Sequence, residues 1–445
     1  MKKSAQRPSV EHPQRTPRRI GRTGVVLLGN RATFGLVNLA AAAVAVQAVG
    51  LGAFGAVILC HAMARLVGDT LRFQSWQAIL SYGTPMLDRG EGGALRRLLG
   101  VTVALDLVAL SVALGLLMLL APWLGAALDW PLEAQDWMRF YAFTAIFMTS
   151  ATPTGLLRLV DRFDVLNIQH AANAVIRLAG AAAVLWFGLG LDALFAVWFA
   201  AAALSGGWMI ARAFMVGYAT LRALPVEGRA ALPTGFWRFV LSTNVASSVS
   251  SAMMHGSTLA VGAVLGPAAA GLYAIARQIS EALAKPAKLL GPVILPAFSE
   301  TRHNAQDGPG TLMLRALGLG ALAMTAIITV MLLAGDMLLS TIFGAEALAA
   351  EGLLVLAATA AAVTLWGFAL EPAILAAGRA DLALLLSLSA AAAYALSLAW
   401  LLPAEGLLGA GIALLIHAAL LFLGRLLTVR SLIRSRLPLD HPETA

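Results

Sequence analysis

Apolar segments of about twenty residues or more recur along nearly the whole of this 445-residue chain. As a helix, each is long enough to cross a hydrocarbon core of roughly 30 Å. In lipid an unpaired backbone N–H or C=O finds no water, so only helices and closed barrels can span. The segments are rich in Leu, Ala and Gly and show no dyad alternation of the barrel type. The fold class is therefore all-α, a polytopic membrane protein. Composition agrees: 60% of residues are hydrophobic and 12% charged, where a soluble domain carries about 25% charged residues.

The pattern predicts about twelve spans, near residues 24–48, 54–78, 98–121, 137–157, 166–188, 192–214, 237–263, 268–298, 312–334, 350–374, 380–402 and 406–427. With a cytoplasmic N-terminus, the tails and even-numbered connections hold Lys2, Lys3, Arg18, Arg19, Arg96, Arg97, Arg162 and Arg379 among other cations. The opposite connections hold Asp129, Glu133, Asp136, Asp192, Asp336, Glu346, Glu351 and Glu405. Cations accumulate in cytoplasmic loops, so both termini are expected inside. The net charge of +8 then reads mostly as an orientation signal, and nucleic acid is not an expected partner. Trp123, Trp130, Trp137 and Trp400 stand near span ends, as interfacial anchors do. The hydrophilic N-terminus contains no apparent cleavable signal peptide.

The chain also repeats itself at an offset near 216. Leu51-Gly52-Ala53-Phe54-Gly55 falls near Leu265-Gly266-Pro267 and Gly271-Leu272-Tyr273, and Arg162-Phe163-Asp164 falls on Arg379-Ala380-Asp381 at 217. Two parallel six-helix repeats are expected, related by an axis along the membrane normal. The expected organisation is a basic tail (1–23), a six-helix bundle (24–219), a cytoplasmic linker (220–236), a second bundle (237–430) and a tail (431–445), with a cleft between the bundles.

Within HAMARLVGDTLR of the second span, His61, Arg65, Asp69 and Arg72 share one helix face. The repeat offset sends them to Arg277, Glu281, Lys285 and Lys288 in RQISEALAKPAK of the eighth. An ionisable group at the bilayer centre costs about 2.5–3.5 kcal/mol on insertion scales, and normally faces a bundle interior or a water-filled cavity. Arg65, Arg277 and Glu281 lie deeper and Asp69 is too short to snorkel far, so these four are expected to line such a cavity. Asp69 and Glu281 also have intrahelical basic neighbours with which ion pairing alone would account for them. Arg72, Lys285 and Lys288 lie toward the cytoplasmic ends, where snorkelling explains a long cation equally well.

Arg31 of the first span and Arg177 of the fifth are near enough to the cytoplasmic side for structural and binding roles to weigh equally. Asp106 and Glu371 are lone acids, for which a packed hydrogen bond is the simpler reading. Glu371 precedes Pro372, whose missing N–H frees backbone groups and marks a possible flexible point. The seven histidines lack the i, i+4 pairing of a zinc helix, and no G-x-x-x-x-G-K-[ST] loop occurs. Cys60 is the single cysteine, which excludes an intramolecular disulfide. No enzyme chemistry, metal or cofactor is expected; a coupling cation or proton stays open.

Residues 265–298 (LGPAAAGLYAIARQISEALAKPAKLLGPVILPAF), with GLGAFGAVILCHAMARLVGDTLRFQSWQAIL at 50–80 and TGLLRLVDRFDVLNIQHAANAVIRLAG at 154–180, resemble the Wzx-type polysaccharide-biosynthesis flippases of the multidrug/oligosaccharidyl-lipid/polysaccharide exporter superfamily. Where relatives often carry an acidic residue before LGP, this chain reads His255-Gly256-Ser257-Thr258-Leu259. The resemblance implies a multi-pass protein of the bacterial inner membrane that flips an undecaprenyl-diphosphate-linked oligosaccharide by alternating access.

In that setting Arg65 and Arg277 are the principal diphosphate-binding candidates, with Arg31 auxiliary, because guanidinium binds phosphate bidentately and stays charged. Asp69, Glu281, His61 and Lys285 would orient them or couple transport to an ion gradient; Arg72, Lys288, Arg177 and Glu371 are secondary candidates. Expected partners are the lipid-linked saccharide, membrane lipid, and a glycan polymerase and glycosyltransferases of the same pathway. A drug or metabolite exporter is the nearest alternative, although cationic cargo favours an acidic, aromatic cavity. A glycan polymerase or ligase would be expected to display a larger outer loop.

Overall fold

The computed structural model describes residues 34–127, 132–148, 150–225, 232–300 and 309–434. Arg31, the expected tail 1–23 and part of the linker lie outside the described residues, as does the side chain of Lys288.

Among the described residues all regular structure is helical. The first half comprises α1 (Phe34–Val49), α2 (Leu51–Leu71), α3 (75–88), α4 (Gly92–Ala127), α5 (Leu132–Tyr141), α6 (Thr144–Met148), α7 (Ala151–Leu159), α8 (Phe163–Trp186) and α9 (Leu191–Arg222). The second comprises α10 (236–265), α11 (Pro267–Glu300), α12 (Pro309–Phe343), α13 (Glu351–Trp366), α14 (Leu370–Ala376), and a run Ala380–Arg434 that breaks at Gly406 into α15 (380–405) and α16 (407–434).

Gly406 takes φ 59° and ψ −134°, a conformation that costs glycine little and other residues much. The chain doubles back there. His417 Nδ1 lies 3.1 Å from the Ala390 carbonyl oxygen, and Gly409 and Gly424 pack against Leu401 and Leu386. Seven described helices are long and apolar enough to cross a membrane, this run being counted once. Trp186 and Trp400 stand on the outer surface, 86% and 78% exposed, where an indole suits the lipid–water boundary.

Three spans differ from the continuous helices expected: span ten is parted by the turn at 367–369 between α13 and α14, and spans two and four are broken as follows. The helix of span two ends at Leu71, with Arg72 extended at φ −69°, ψ 115°, and resumes at Ser75. The break leaves carbonyls without helical donors. Side chains of α10 replace those donors: Asn244 Nδ2 donates to the Arg72 oxygen at 2.8 Å, and Ser248 Oγ to the Thr70 oxygen at 3.1 Å. Span four is divided into α5, α6 and α7. Asp106 of α4 accepts the Thr152 N–H at 2.7 Å at the start of α7, and Ser75 Oγ at 3.2 Å. This lone acid thus caps one helix and ties it to α3, the favourable place for a negative group.

The internal repeat is visible in the backbone. Gly50 (φ 82°, ψ 164°) and Gly266 (φ 87°, ψ 174°) stand 216 residues apart and make the same tight connection between consecutive helices. Asp161 at φ 56° is matched by Gly378 at φ 74°. The residues that follow close both turns identically: Arg162 pairs with Asp164 at 2.8 Å, and Arg379 with Asp381 at 3.2 Å.

The halves meet along α2. A Cβ on Gly55 would lie 1.8 Å from the Pro267 carbonyl oxygen, and one on Gly271 3.3 Å from the Gly55 Cα, so α2 and α11 touch backbone to backbone. Buried Phe54, Leu59, Tyr273 and Ile275 fill the layer around this contact. A cleft was expected here; on this face the halves are joined, by apolar packing at one end of α2 and by the hydrogen bonds from α10 at the other.

Candidate functional site

The ionisable face of α2 lies within this seam. Asp69 is buried and forms ion pairs with Arg65 at 3.1 Å and Arg72 at 3.5 Å, one turn before and just under one turn after it. Across the seam, His255 Nε2 of α10 stands 3.8 Å from the same carboxylate. Arg72 therefore reaches Asp69 rather than simply extending to an interface. His61, a turn before Arg65, has Nδ1 2.9 Å from the hydroxyl of fully buried Tyr141 on α5.

On α11, Arg277 is engaged on several sides. One terminal nitrogen donates to the Met253 carbonyl oxygen and to Ser257 Oγ, both at 3.1 Å; the other pairs with Glu281 at 3.1 Å. Its guanidinium also lies 5.9 Å from the Tyr273 ring centre. Met253 belongs to a π-helical stretch of α10, Ala252–Gly256. A π turn displaces the regular i→i−4 ladder, which suits the Met253 carbonyl to an outside donor. The Tyr273 hydroxyl is 2.8 Å from that of Tyr394 on α15. Lys285 lies against α1: a Cβ on Gly35 would fall 2.5 Å from its Nζ.

The structure thus joins Arg65, Asp69 and Arg72 from one half to His255, Arg277 and Glu281 from the other, with His255 in electrostatic range of Arg65, Asp69 and Arg277. Arg65 and Glu281 retain solvent access, their side chains 30% and 38% exposed. Glu371 is not part of this group: it pairs with Arg425 of α16 at 2.9 Å, near the stacked rings of Trp366 and Phe422. Arg177 of α8 lies over Trp198 of α9, 5.4 Å from the ring centre. Such a contact contributes about 0.5–2 kcal/mol.

Sequence reasoning missed Tyr141, Tyr273, Tyr394 and Ser257. Tyr273 was findable, four residues before Arg277 on the same face; Tyr141 and Tyr394 come from distant spans with no shared spacing. His255 stood out only as a departure from an acidic position.

Beside Arg277, a cavity of about 570 Å³ separates α10 from α15. Val249, Met253, Val264, Leu398 and Leu402 line it, and Ser257 and Tyr394 are its polar side chains. Met253 and Ser257 also bind Arg277, so the apolar cavity and the charged seam share a wall.

A family model described as "Polysaccharide biosynthesis protein" matches residues 102–350. The inner membrane protein YghQ of Escherichia coli (strain K12) is 34% identical over 330 residues, covering 72% of this chain and 91% of that protein. Among solved structures, the inward-facing conformation of a multidrug resistance MATE family transporter of the MOP superfamily superposes with a TM-score of 0.71 at 12% identity, covering 91% of this chain and 96% of the other. The inward closed conformation of the lipid II flippase MurJ gives 0.65 at 11% identity, covering 91% and 87%. At such identities the shared feature is the fold.

Proposed function

We propose, since this chain belongs to the polysaccharide biosynthesis protein family, that it is an inner-membrane flippase carrying an undecaprenyl-diphosphate-linked oligosaccharide by alternating access of its two halves, with both termini in the cytoplasm. The observation that carries this reading is the basic seam where the halves meet: Arg65, Arg72 and Arg277 against Asp69 and Glu281.

A diphosphate must cross a low-dielectric slab, and a guanidinium can hold its oxygens bidentately without losing charge. Arg65 and Arg277 are the proposed ligands. Each already binds a carboxylate, so arriving phosphate would replace Asp69 or Glu281 rather than meet an empty cation. Displacement of Asp69 would also loosen its contact with His255, linking occupancy to the junction between halves. Arg31 is the proposed auxiliary cation. The apolar cavity beside Arg277 suits an isoprenoid chain. That cavity also favours a second reading, export of an apolar small molecule.

The test is flipping of a fluorescent lipid-linked saccharide in proteoliposomes by the wild type and the Arg65→Ala and Arg277→Ala variants, after insertion and abundance have been matched. Both variants are expected to slow transport by roughly tenfold or more. Unchanged rates in both overturn the assignment, and efflux of lipophilic dyes without lipid flipping favours the exporter. Lysine replacements separate charge from bidentate geometry.

A further inference from the structure

The first half holds an arginine whose situation is opposite to that of Arg277. Arg177 of α8 has a buried Nε with no hydrogen-bond partner. Among the described residues its aromatic contact is with Trp198, and the ionisable groups in electrostatic range are Tyr141, Arg65 and His61. None of these is a carboxylate. Four elements, α2, α5, α8 and α9, thus bring Arg65, His61 and the Tyr141 hydroxyl around one guanidinium that has no acid of its own among the described residues; Asp69 of α2 answers Arg65. An arginine placed so is expensive unless something anionic visits it.

We propose that Arg177 anchors an oxyanion site in the N-terminal half, taking a phosphate group of the substrate. The guanidinium supplies the fork, the Trp198 ring lies 5.4 Å from it, and Arg65 and the Tyr141 hydroxyl complete the donor set. That hydroxyl pairs with His61 at 2.9 Å, and it is free to donate to an anion when His61 Nδ1 carries the hydrogen of the pair. The site differs from Arg277 in one respect that matters for binding: Arg177 itself holds no carboxylate that must leave, although Arg65 turns from Asp69 to join it. It deepens the flippase reading, on which only the identity of the natural anion rests.

The experiment measures equilibrium binding of inorganic pyrophosphate, and separately of undecaprenyl diphosphate, to the full chain purified in detergent. Arg177→Gln is expected to weaken pyrophosphate binding about tenfold or more, and Arg177→Lys to lie between it and the wild type, because charge persists while the fork is lost. Trp198→Leu is expected to weaken binding by roughly threefold. It serves with Arg177→Lys as the measure if the glutamine variant is not monodisperse. Arg162→Gln, on an exposed turn, is the control and keeps wild-type affinity.

Wild-type affinity in the Arg177 and Trp198 variants, or a wild-type chain that binds neither anion, overturns the proposal. Equal weakening for both ligands assigns the site to the phosphate itself, and a larger loss for the lipid assigns it to the carrier. A protein that binds pyrophosphate through Arg177 but flips no lipid-linked saccharide keeps the site and loses the flippase reading. Flipping that Arg177→Gln leaves untouched, with unaltered anion binding, does the reverse.

Discussion

Arg277 and Arg177 sit in opposite halves of an internally repeated molecule. Arg277 is held by Glu281, the Met253 carbonyl and Ser257, with Tyr273 beside it; Arg177 has Trp198 and an unpaired Nε. At the turns the repeat is faithful. The turns closed by Arg162 with Asp164 and by Arg379 with Asp381 match in backbone sign and pairing, as do the connections at Gly50 and Gly266. The two halves kept the same solution where the chain must turn and diverged where charges face the interior. A turn has few solutions, set by sterics. An interior charge can be paired within the protein, as Arg65 and Arg72 are with Asp69 and Arg277 is with Glu281, or stand without an acid among the described residues, as Arg177 does.

The comparison breaks most severely if the halves cannot meet. Gly55→Leu would drive a side chain into the Pro267 backbone, which cannot swing aside as a side-chain tip would. A loss of about 3 kcal/mol or more is expected, seen as a large fall in melting temperature in detergent. Gly100→Leu, where nothing lies within 4 Å, is the control and should melt like the wild type.

The next largest effect separates the two arginines by stability. Arg277→Gln strips Glu281 and the Met253 carbonyl of a charged donor, and is expected to destabilise by about 1–3 kcal/mol. Adding Glu281→Gln should recover part of that loss, which a double-mutant cycle by thermal unfolding would register as coupling. Arg177→Gln removes a cation with no acid to leave behind, so its melting temperature should equal or exceed the wild-type value. Destabilisation as large as that of Arg277→Gln would mean that Arg177 has a structural partner, and the contrast between the halves would fail.

The smallest effects are expected at the turns. Arg162→Gln and Arg379→Gln each remove an exposed pair, and exposed pairs contribute little. Their melting temperatures should match each other and lie within error of the wild type. A clear difference between them would show that the repeat is less symmetric at the turns than its geometry indicates.

Much of the architecture was legible in the chain. Apolar length determined helices, the offset of 216 exposed the repeat, and four-residue spacing placed Arg65 with Asp69 and Arg277 with Glu281, pairs that the structure contains. These are local relations, settled by helix geometry alone. The breaks in spans two and four were not legible. Their backbone groups are satisfied by Asn244, Ser248 and Asp106 from other helices, and no periodicity within a span records a donor from elsewhere. Glu371 and Asp106 illustrate the same limit: both looked solitary because Arg425 and Thr152 are distant in sequence.

By itself the sequence determined that this chain is a helical membrane protein of two related halves with charged faces on equivalent helices, because bilayer thickness and the helical period act on contiguous residues. Only the tertiary structure decided which of those charges are already answered. Arg277 is neutralised and Arg177 is not, although both are single arginines in apolar spans. The difference lies in what neighbouring helices bring: three polar partners on one side, an indole and a second arginine on the other. The free energy of a charge in a low-dielectric interior depends on its neighbours in space, and those are chosen by packing.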